Sequence, residues 1–166
     1  MEPYNWSQFT KRIAINAPIQ TIYKCWATQA GLETWFLRKA TFIKPDGNLR
    51  SPEEFIQSGD SYSWMWHGWP DTVNEKNKVL EANGIDLFKF GFAEVCVVTI
   101  KISAIQNFHI VELTQSEIPT DDEHKAKWHL GCLEGWTFYL ANLKSILEGG
   151  LDLRNKSLEI GMVINA

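Results

Sequence analysis

The chain has 166 residues, of which 45% are apolar and 22% are charged, so it can bury a core and does not have the composition of a disordered protein. Its length fits one domain, which we expect to span residues 1–166. A net charge of −4 disfavours a nucleic-acid partner, because phosphate binding needs clustered Lys and Arg.

The cysteine pattern and the apolar runs indicate the compartment. Cys25, Cys96 and Cys132 are far apart and form no C-x-x-C motif, which is typical of packed thiols in a reducing environment. The first twelve residues, MEPYNWSQFTKR, lack the apolar run of a signal peptide. No stretch approaches the ~18 consecutive apolar residues of a membrane span. We therefore expect a soluble cytoplasmic protein without a membrane span.

The first part of the chain predicts a strand, two short helices and a second strand. Phe9 to Asn16 alternates apolar and polar residues, as a half-buried strand does. Ala17-Pro18 then opens a helical segment, since proline is tolerated in the first helical turn. Gln29 to Phe36 follows as a second short helix, and Lys39 to Lys44 returns as a strand.

The middle of the chain predicts an antiparallel sheet with an aromatic face. Ser61 to His67 alternates strictly, which places three large rings on one side: Tyr62, Trp64 and Trp66. Four more strand-like runs follow: Lys78–Ala82, Ile85–Phe92, Cys96–Ala104 and Phe108–Gln115. Asn83-Gly84 predicts a two-residue hairpin and Gln106-Asn107 a second turn. Strands joined by such short turns pair antiparallel.

The last predicted element is one long helix between Pro119 and Gly150. Thr120 and Glu123 fit a capping box at its start, and Gly149-Gly150 can take the left-handed conformation that closes a helix. About 26 helical residues at ~1.5 Å each give roughly 39 Å. A tail from Leu151 to Ala166 follows.

One face of this helix is aromatic and apolar at helical spacing. Its residues are Trp128, Cys132, Trp136, Tyr139, Leu143, Ile146 and Leu147, with Leu140 at the edge. Gly131 and Gly135 lie beside the face, and each costs about 1 kcal/mol relative to alanine in a helix interior. Either another element packs tightly against them, or the missing side chains leave room beside a cavity.

This order of elements predicts an α+β fold of about six to seven antiparallel strands, with helices on one face of the sheet. A strongly twisted sheet would curl around the long helix, so that aromatic faces from both meet between them.

Several local motifs resemble one known family. They are the run Arg12 to Pro18 before Trp26, the aromatic strand Tyr62 to Gly68, and Gly135-Trp136 with the later helix residues up to Arg154. Over nearly the whole chain, these features resemble the activator-of-Hsp90-ATPase-like family of the START-like, helix-grip superfamily. The resemblance implies a ligand-binding fold. It covers only the C-terminal half of the co-chaperone that names the family, whose chaperone-binding N-terminal domain we expect to have no counterpart here.

The candidate ligand-binding residues are those whose bulky side chains would meet between sheet and helix. They are Trp35, Tyr62, Trp64, Trp66, His67, Phe88, Phe90, Trp136, Tyr139, Leu140 and Leu143. The sequence shows which residues lie on the same face, but it does not show whether the space between the faces is filled. Two alternatives therefore remain: a pocket lined by these rings, or a solid aromatic core.

Catalytic and metal chemistry have weaker support in the sequence. None of the four histidines forms an H-x-x-x-H pair or lies at zinc spacing from a cysteine, so we expect no metal and no cofactor. His67, at the end of the aromatic strand, is the best candidate for acid–base work. The alternative for His67 is a histidine that caps a turn through hydrogen bonds.

Three functions remain open, and the leading one is non-enzymatic binding of a hydrophobic, ring-containing small molecule. The first alternative is a protein-interaction module with a chaperone as partner. The second is a cyclase-like or hydrolase-like enzyme that uses the same pocket through His67. The sequence pattern specifies no oligomeric state.

Overall fold

The computed structural model describes residues 3–160 and residue 163; the remaining ends of the predicted domain and tail lie outside the described residues. The strands and helices follow the predicted order. They are β1 (Phe9–Ile15), α1 (Ile19–Ala27), α2 (Gln29–Trp35), β2 (Lys39–Ile43), β3 (Ser61–Met65), β4 (Glu75–Ala82), β5 (Leu87–Phe92), β6 (Cys96–Ile105), β7 (Phe108–Ser116), α3 (Asp122–His124), a π-helical segment (Lys125–Leu130) and α4 (Gly131–Leu147).

The seven strands form one curved antiparallel sheet in the order β1-β7-β6-β5-β4-β3-β2. Consecutive strands from β2 to β7 are neighbours, and β1 closes the order by pairing with β7, where Phe9 lies opposite Gln115. The C-terminal helix, residues 122–147, and the two short helices pack on the inner face of the sheet. This arrangement confirms the predicted α+β helix-grip fold. Among the helices of the described residues, none is both long and apolar enough to cross a bilayer.

The start of β4 and the end of β3 differ from the prediction beside the aromatic cluster. β4 begins at Glu75, three residues before the predicted Lys78, because its first residues pair with β3 and place Glu75 opposite Trp64. β3 ends at Met65, so Trp66 and His67 lie beyond the strand. The buried side chains of β3 are Tyr62 and Trp64, as the alternation predicts.

Of the two predicted hairpin turns, one is confirmed and the other is wrong. Gln106-Asn107 is a two-residue turn, since Ile105 pairs with Phe108. The Asn83-Gly84 connection is longer than a two-residue hairpin. The Asn83 Oδ1 atom accepts hydrogen bonds from the three following N–H groups of residues 85–87, each at 3.0 Å, so the loop spans residues 83–86.

The C-terminal helix differs from the prediction at its start and agrees at its end. Asp121 is the N-cap, and its carboxylate accepts from the His124 N–H at 3.2 Å, so the predicted capping box of Thr120 and Glu123 is wrong. The end is a Schellman motif with Gly149 at a φ of 81°. There the Gly150 N–H donates to the Ser145 carbonyl at 2.7 Å.

A π-helical segment interrupts the C-terminal helix at Lys125–Leu130. It turns the fully buried His129 ring toward the chain before β1. There Nδ1 lies 2.9 Å from the Trp6 carbonyl oxygen and Nε2 lies 2.9 Å from the Tyr4 hydroxyl. The segment therefore fixes the N-terminal residues against the helix.

The chain after α4 is fixed to α2 by one buried arginine. The Arg154 guanidinium donates to the carbonyls of Glu33, Thr34 and Leu37 at 2.7–3.2 Å, around the C-terminal end of α2. It also donates to the Asp152 carboxylate at 2.7 Å. The bonds to Glu33 and Thr34 satisfy helix-end carbonyls that have no partner within the helix.

Candidate ligand-binding site

The structure places the predicted site residues between the sheet and the C-terminal helix. They fall into a buried group and a half-buried group. The buried ones are Trp35, Tyr62, Trp64, Phe88, Phe90, Trp136, Leu140 and Leu143. Trp66, His67 and Tyr139 are half-buried and lie at the margin of the cluster. The arrangement that the sequence predicts, with Trp64 inside and on the same side as Trp136, is present.

Phe36 connects these rings, although the sequence reasoning did not assign it to the site. Its ring centroid lies 5.6 Å from Trp64, 5.1 Å from Trp136 and 4.8 Å from Tyr139. Phe36 is the C-cap of α2, where it follows Trp35. Periodicity within the short helix could not place the ring, because the chain leaves the helix at this residue.

The sheet supplies a second row of rings to the same cluster. Tyr62 and Trp64 stack with centroids 4.0 Å apart, and Trp64 meets Phe90 edge-on at 5.1 Å. Phe92 lies 5.4 Å from Trp136 on α4. Rings of the sheet and the helix are therefore in direct contact, and offset or edge-on pairs of this kind stabilise the interior by about 0.5–1.5 kcal/mol each.

Four buried indoles of the cluster differ in their hydrogen bonding. Trp35 Nε1 donates to the Cys25 carbonyl at 3.0 Å, and Trp136 Nε1 donates to Gln115 Oε1 at 2.9 Å. Trp26 Nε1 and Trp64 Nε1 are buried and find no acceptor among the described residues. A buried donor without a partner costs about 1–3 kcal/mol.

The helix offers open space beside the cluster at Gly135. A methyl group built at Gly135 would meet no other atom within 4 Å, so tight packing does not explain this glycine. A methyl group at Gly131 would meet only the Ala126 carbonyl oxygen, at an ordinary 3.7 Å. Tyr139 lies one helical turn beyond Gly135, and burial raises the pKa of its hydroxyl to about 12. Trp66 and Tyr139 are only half-buried, so their rings form the part of the cluster that solvent can reach.

His67 lies at this margin. Its ring makes no hydrogen bond to a described residue, so the turn-capping alternative finds no support within residues 3–160. Burial, together with the charges of Arg154 and Lys156, lowers its pKa. The imidazole is therefore neutral at physiological pH.

A polar group that the sequence reasoning missed lies beside the ends of β3 and β5. The carboxylate of Glu75 accepts from the Ala93 N–H at 3.1 Å, and burial raises its pKa. The Tyr62 hydroxyl donates to the Gly91 carbonyl at 2.5 Å nearby. Extending the Val79 alternation toward the N-terminus predicts that Glu75 faces inward, and this was the available signal.

Two thiols lie beside Glu75 and the Gln115 amide. Burial raises the pKa of Cys96 and raises that of Cys132 to about 11, although both thiols interact with the Gln115 side chain. Both are therefore neutral thiols and poor nucleophiles. Among the described residues, no three His, Cys, Asp or Glu side chains are grouped so that they could hold a metal ion.

Comparison with known structures supports the same architecture. The solution structure of the Aha1 dimer from Colwellia psychrerythraea is 19% identical, covers 86% of this chain and 97% of its own, and has a TM-score of 0.65. A crystal structure of a Staphylococcus saprophyticus protein is 17% identical, covers 89% and 96%, and has a TM-score of 0.68. At these identities the likeness shows the fold alone.

A third similar structure belongs to a protein of the dynemicin biosynthetic locus. It is 15% identical with a TM-score of 0.64, and the match covers 90% of this chain and 50% of that longer one. No curated protein matches the sequence. The family model described as activator of Hsp90 ATPase homolog 1-like protein matches residues 16–148. The chain therefore belongs to the activator-of-Hsp90-ATPase-like family.

Proposed function

We propose that this protein binds a hydrophobic small molecule between the sheet and the C-terminal helix. The observation that carries the proposal is the pair of buried indole donors, Trp26 Nε1 and Trp64 Nε1, which have no acceptor among the described residues. A bound molecule that supplies an acceptor would offset the cost of about 1–3 kcal/mol per unpaired donor. The surrounding rings would bury its apolar body.

The route into this interior supports the proposal. A methyl group at Gly135 would have open space around it, and the rings of Trp66 and Tyr139 are half-buried. Because the buried rings already contact one another, we propose that a ligand enters beside Gly135 and packs against the half-buried rings. The similarity to a protein of the dynemicin biosynthetic locus fits a small-molecule role.

We further propose that residues 1–166 act as one domain in the cytoplasm. Three free cysteines, Cys25, Cys96 and Cys132, suit a reducing compartment.

A titration with the fluorescent lipophile N-phenyl-1-naphthylamine tests the proposal. We expect saturable binding with a blue-shifted emission and one site per chain. Native mass spectrometry of the freshly purified protein provides a second readout, in which a retained molecule would appear as added mass.

Two tryptophans three residues apart provide the matched variants. Trp66→Ala removes a half-buried ring that lies 5.9 Å from Phe36, and we expect it to weaken probe binding at least tenfold. Trp69→Ala removes an exposed ring and should leave binding unchanged. Absence of saturable binding, or equal loss in both variants, would contradict the proposal.

A further inference from the structure

We propose that the molecule bound in this interior is a lipophilic amine whose ammonium group pairs with the carboxylate of Glu75. This inference rests on the proposed function, and it names the chemical class of the ligand and the residue that selects it. It follows from the direction in which Glu75 points, from the charges around it and from the rings beside it.

The strand register directs the Glu75 side chain toward the helix. Glu75 lies directly opposite Trp64, and directly opposed residues in an antiparallel pair project from the same face of the sheet. Trp64 is fully buried, so this face is the inner one. Val79, four residues later on the same strand, is also buried, which agrees with the two-residue period.

No cation compensates this carboxylate within the described residues. Its polar partners are the Ala93 N–H at 3.1 Å and the Asn77 side chain. None of the ion pairs within residues 3–160 includes Glu75.

The titratable groups around Glu75 are neutral or negative. They are the Tyr62 hydroxyl from β3, the Cys96 thiol from β6, the Cys132 thiol from α4 and the Glu94 carboxyl from the turn after β5. Burial raises the pKa of Tyr62 and of both cysteines, so these three groups carry no charge at neutral pH. A partly buried carboxylate without a counter-charge is costly, and a cationic ligand would remove that cost.

Aromatic rings near Glu75 favour the same kind of ligand. Trp64 is its cross-strand neighbour, and Tyr62 stacks on Trp64 at 4.0 Å. Phe92 comes directly before Ala93, which donates to Glu75, and its ring lies 5.4 Å from Trp136. Ring faces attract an ammonium group, so the rings favour the same ligand as the carboxylate does.

Other ligand classes fit less well. An anionic lipophile would meet the negative charges of Glu75 and Glu94 with no positive group opposite them among the neighbours named above. A neutral alcohol could donate one hydrogen bond to Glu75, but it brings no positive charge to compensate the carboxylate. The amine therefore gains most from this site.

Displacement of N-phenyl-1-naphthylamine by a matched series tests the inference. The competitors are 2-(aminomethyl)naphthalene, 2-(hydroxymethyl)naphthalene, 2-methylnaphthalene and 2-naphthoate, which share one ring system and differ in the polar group. With the wild-type protein near pH 8, we expect the amine to displace the probe at a concentration at least tenfold below that of the methyl compound. The carboxylate should be the weakest competitor.

Two variants assign the preference to Glu75. Glu75→Gln should keep binding of 2-methylnaphthalene and lose the preference for the amine, whereas Glu81→Gln, at an exposed position on the same strand, should retain it. If Glu75→Gln does not fold, the pH dependence of the wild-type protein replaces it, because protonation of Glu75 at acidic pH should abolish the preference.

The outcomes separate the two proposals. Equal displacement by all four compounds, or a preference for the amine that survives Glu75→Gln, would overturn the amine inference and leave lipophile binding intact. Failure of the probe and all competitors to bind would overturn the proposed function itself, and the amine inference with it.

Discussion

Glu75 also affects the stability of the empty protein, because its ionisation is unfavourable in the folded state. Burial raises the folded pKa above the ordinary glutamate value, so the folded state binds this proton more tightly than the unfolded chain. Stability contributed at this site is therefore highest at acidic pH and falls as pH rises through the window between the ordinary and the raised pKa.

We predict that Glu75→Gln raises the melting temperature at pH 8 and has little effect below the ordinary glutamate pKa. Glutamine keeps an oxygen for the Ala93 N–H and removes the charge. Thermal denaturation across pH 4–8, followed by circular dichroism, measures the effect. A variant that is destabilised equally at all pH values would show that the raised pKa does not govern this site.

Arg154 is predicted to be the most costly of the polar residues to remove. Arg154→Ala would leave three carbonyls at and just after the end of α2 without their donor and would leave Asp152 without its buried partner. Breaking a buried pair from one side costs about 3–5 kcal/mol, which corresponds to a fall in melting temperature on the order of 10 °C.

Lys156→Ala is the matched control, because Lys156 pairs with the same Asp152 carboxylate at 2.9 Å but is exposed. Its removal should change stability by less than about 0.5 kcal/mol. Equal melting temperatures for the two variants would contradict the role assigned to Arg154.

Individual residues were predictable where alternation is regular. Tyr62 and Trp64 face inward as their spacing predicts, because a strand has a fixed two-residue period. Phe36 and Glu75 were missed for different reasons. Phe36 leaves its helix at the cap, where periodicity ends. Glu75 lies in a polar run, so its inward direction follows only when the alternation is extended back from the buried Val79.

At the scale of the element, α4 contains a glycine whose role can be tested by a single methyl group. Gly135→Ala adds that group to open space, so the gain in helix propensity of about 1 kcal/mol is unopposed. We predict a rise in melting temperature of roughly 2–4 °C for a chain of this size.

Gly31→Ala is the contrasting substitution in α2. A methyl group there would collide with the Lys24 carbonyl oxygen and lie 2.8 Å from the Cys25 Cα atom, both of which belong to the backbone. We expect destabilisation by about 1–3 kcal/mol. Calorimetry that finds Gly135→Ala destabilising would show that its surroundings are filled.

The elements themselves show which sequence signals are reliable. Seven strands and the C-terminal helix follow from periodicity and turn residues, since both depend on local geometry. The π-helical segment Lys125–Leu130 was not predictable in this way. Over six residues, a small change in helical winding leaves the spacing of apolar residues almost unchanged. The contacts that accompany the segment, from His129 to Tyr4 and Trp6, join residues far apart in the sequence, so local periodicity does not reveal them.

At the scale of the whole molecule, a seven-stranded sheet holds one long helix, and aromatic rings from both meet at the centre. Family membership and the fold are established by the match over residues 16–148 and the similar structures. The function is not fixed by this architecture, since one fold can host many activities. A chaperone partner is the alternative that the family name motivates, and an ATPase assay with the chaperone would detect it independently of lipophile binding.

The most direct measurement is a titration of N-phenyl-1-naphthylamine into the wild-type protein, Gly135→Leu and Ala141→Leu. Leucine at position 135 would fill the open space beside the aromatic cluster, whereas position 141 is exposed on the same helix. We predict saturable binding to the wild type and to Ala141→Leu, with binding to Gly135→Leu at least tenfold weaker and all three equally folded by circular dichroism. Equal binding to the two leucine variants, or no saturable binding to the wild type, would contradict a ligand site between the sheet and the C-terminal helix.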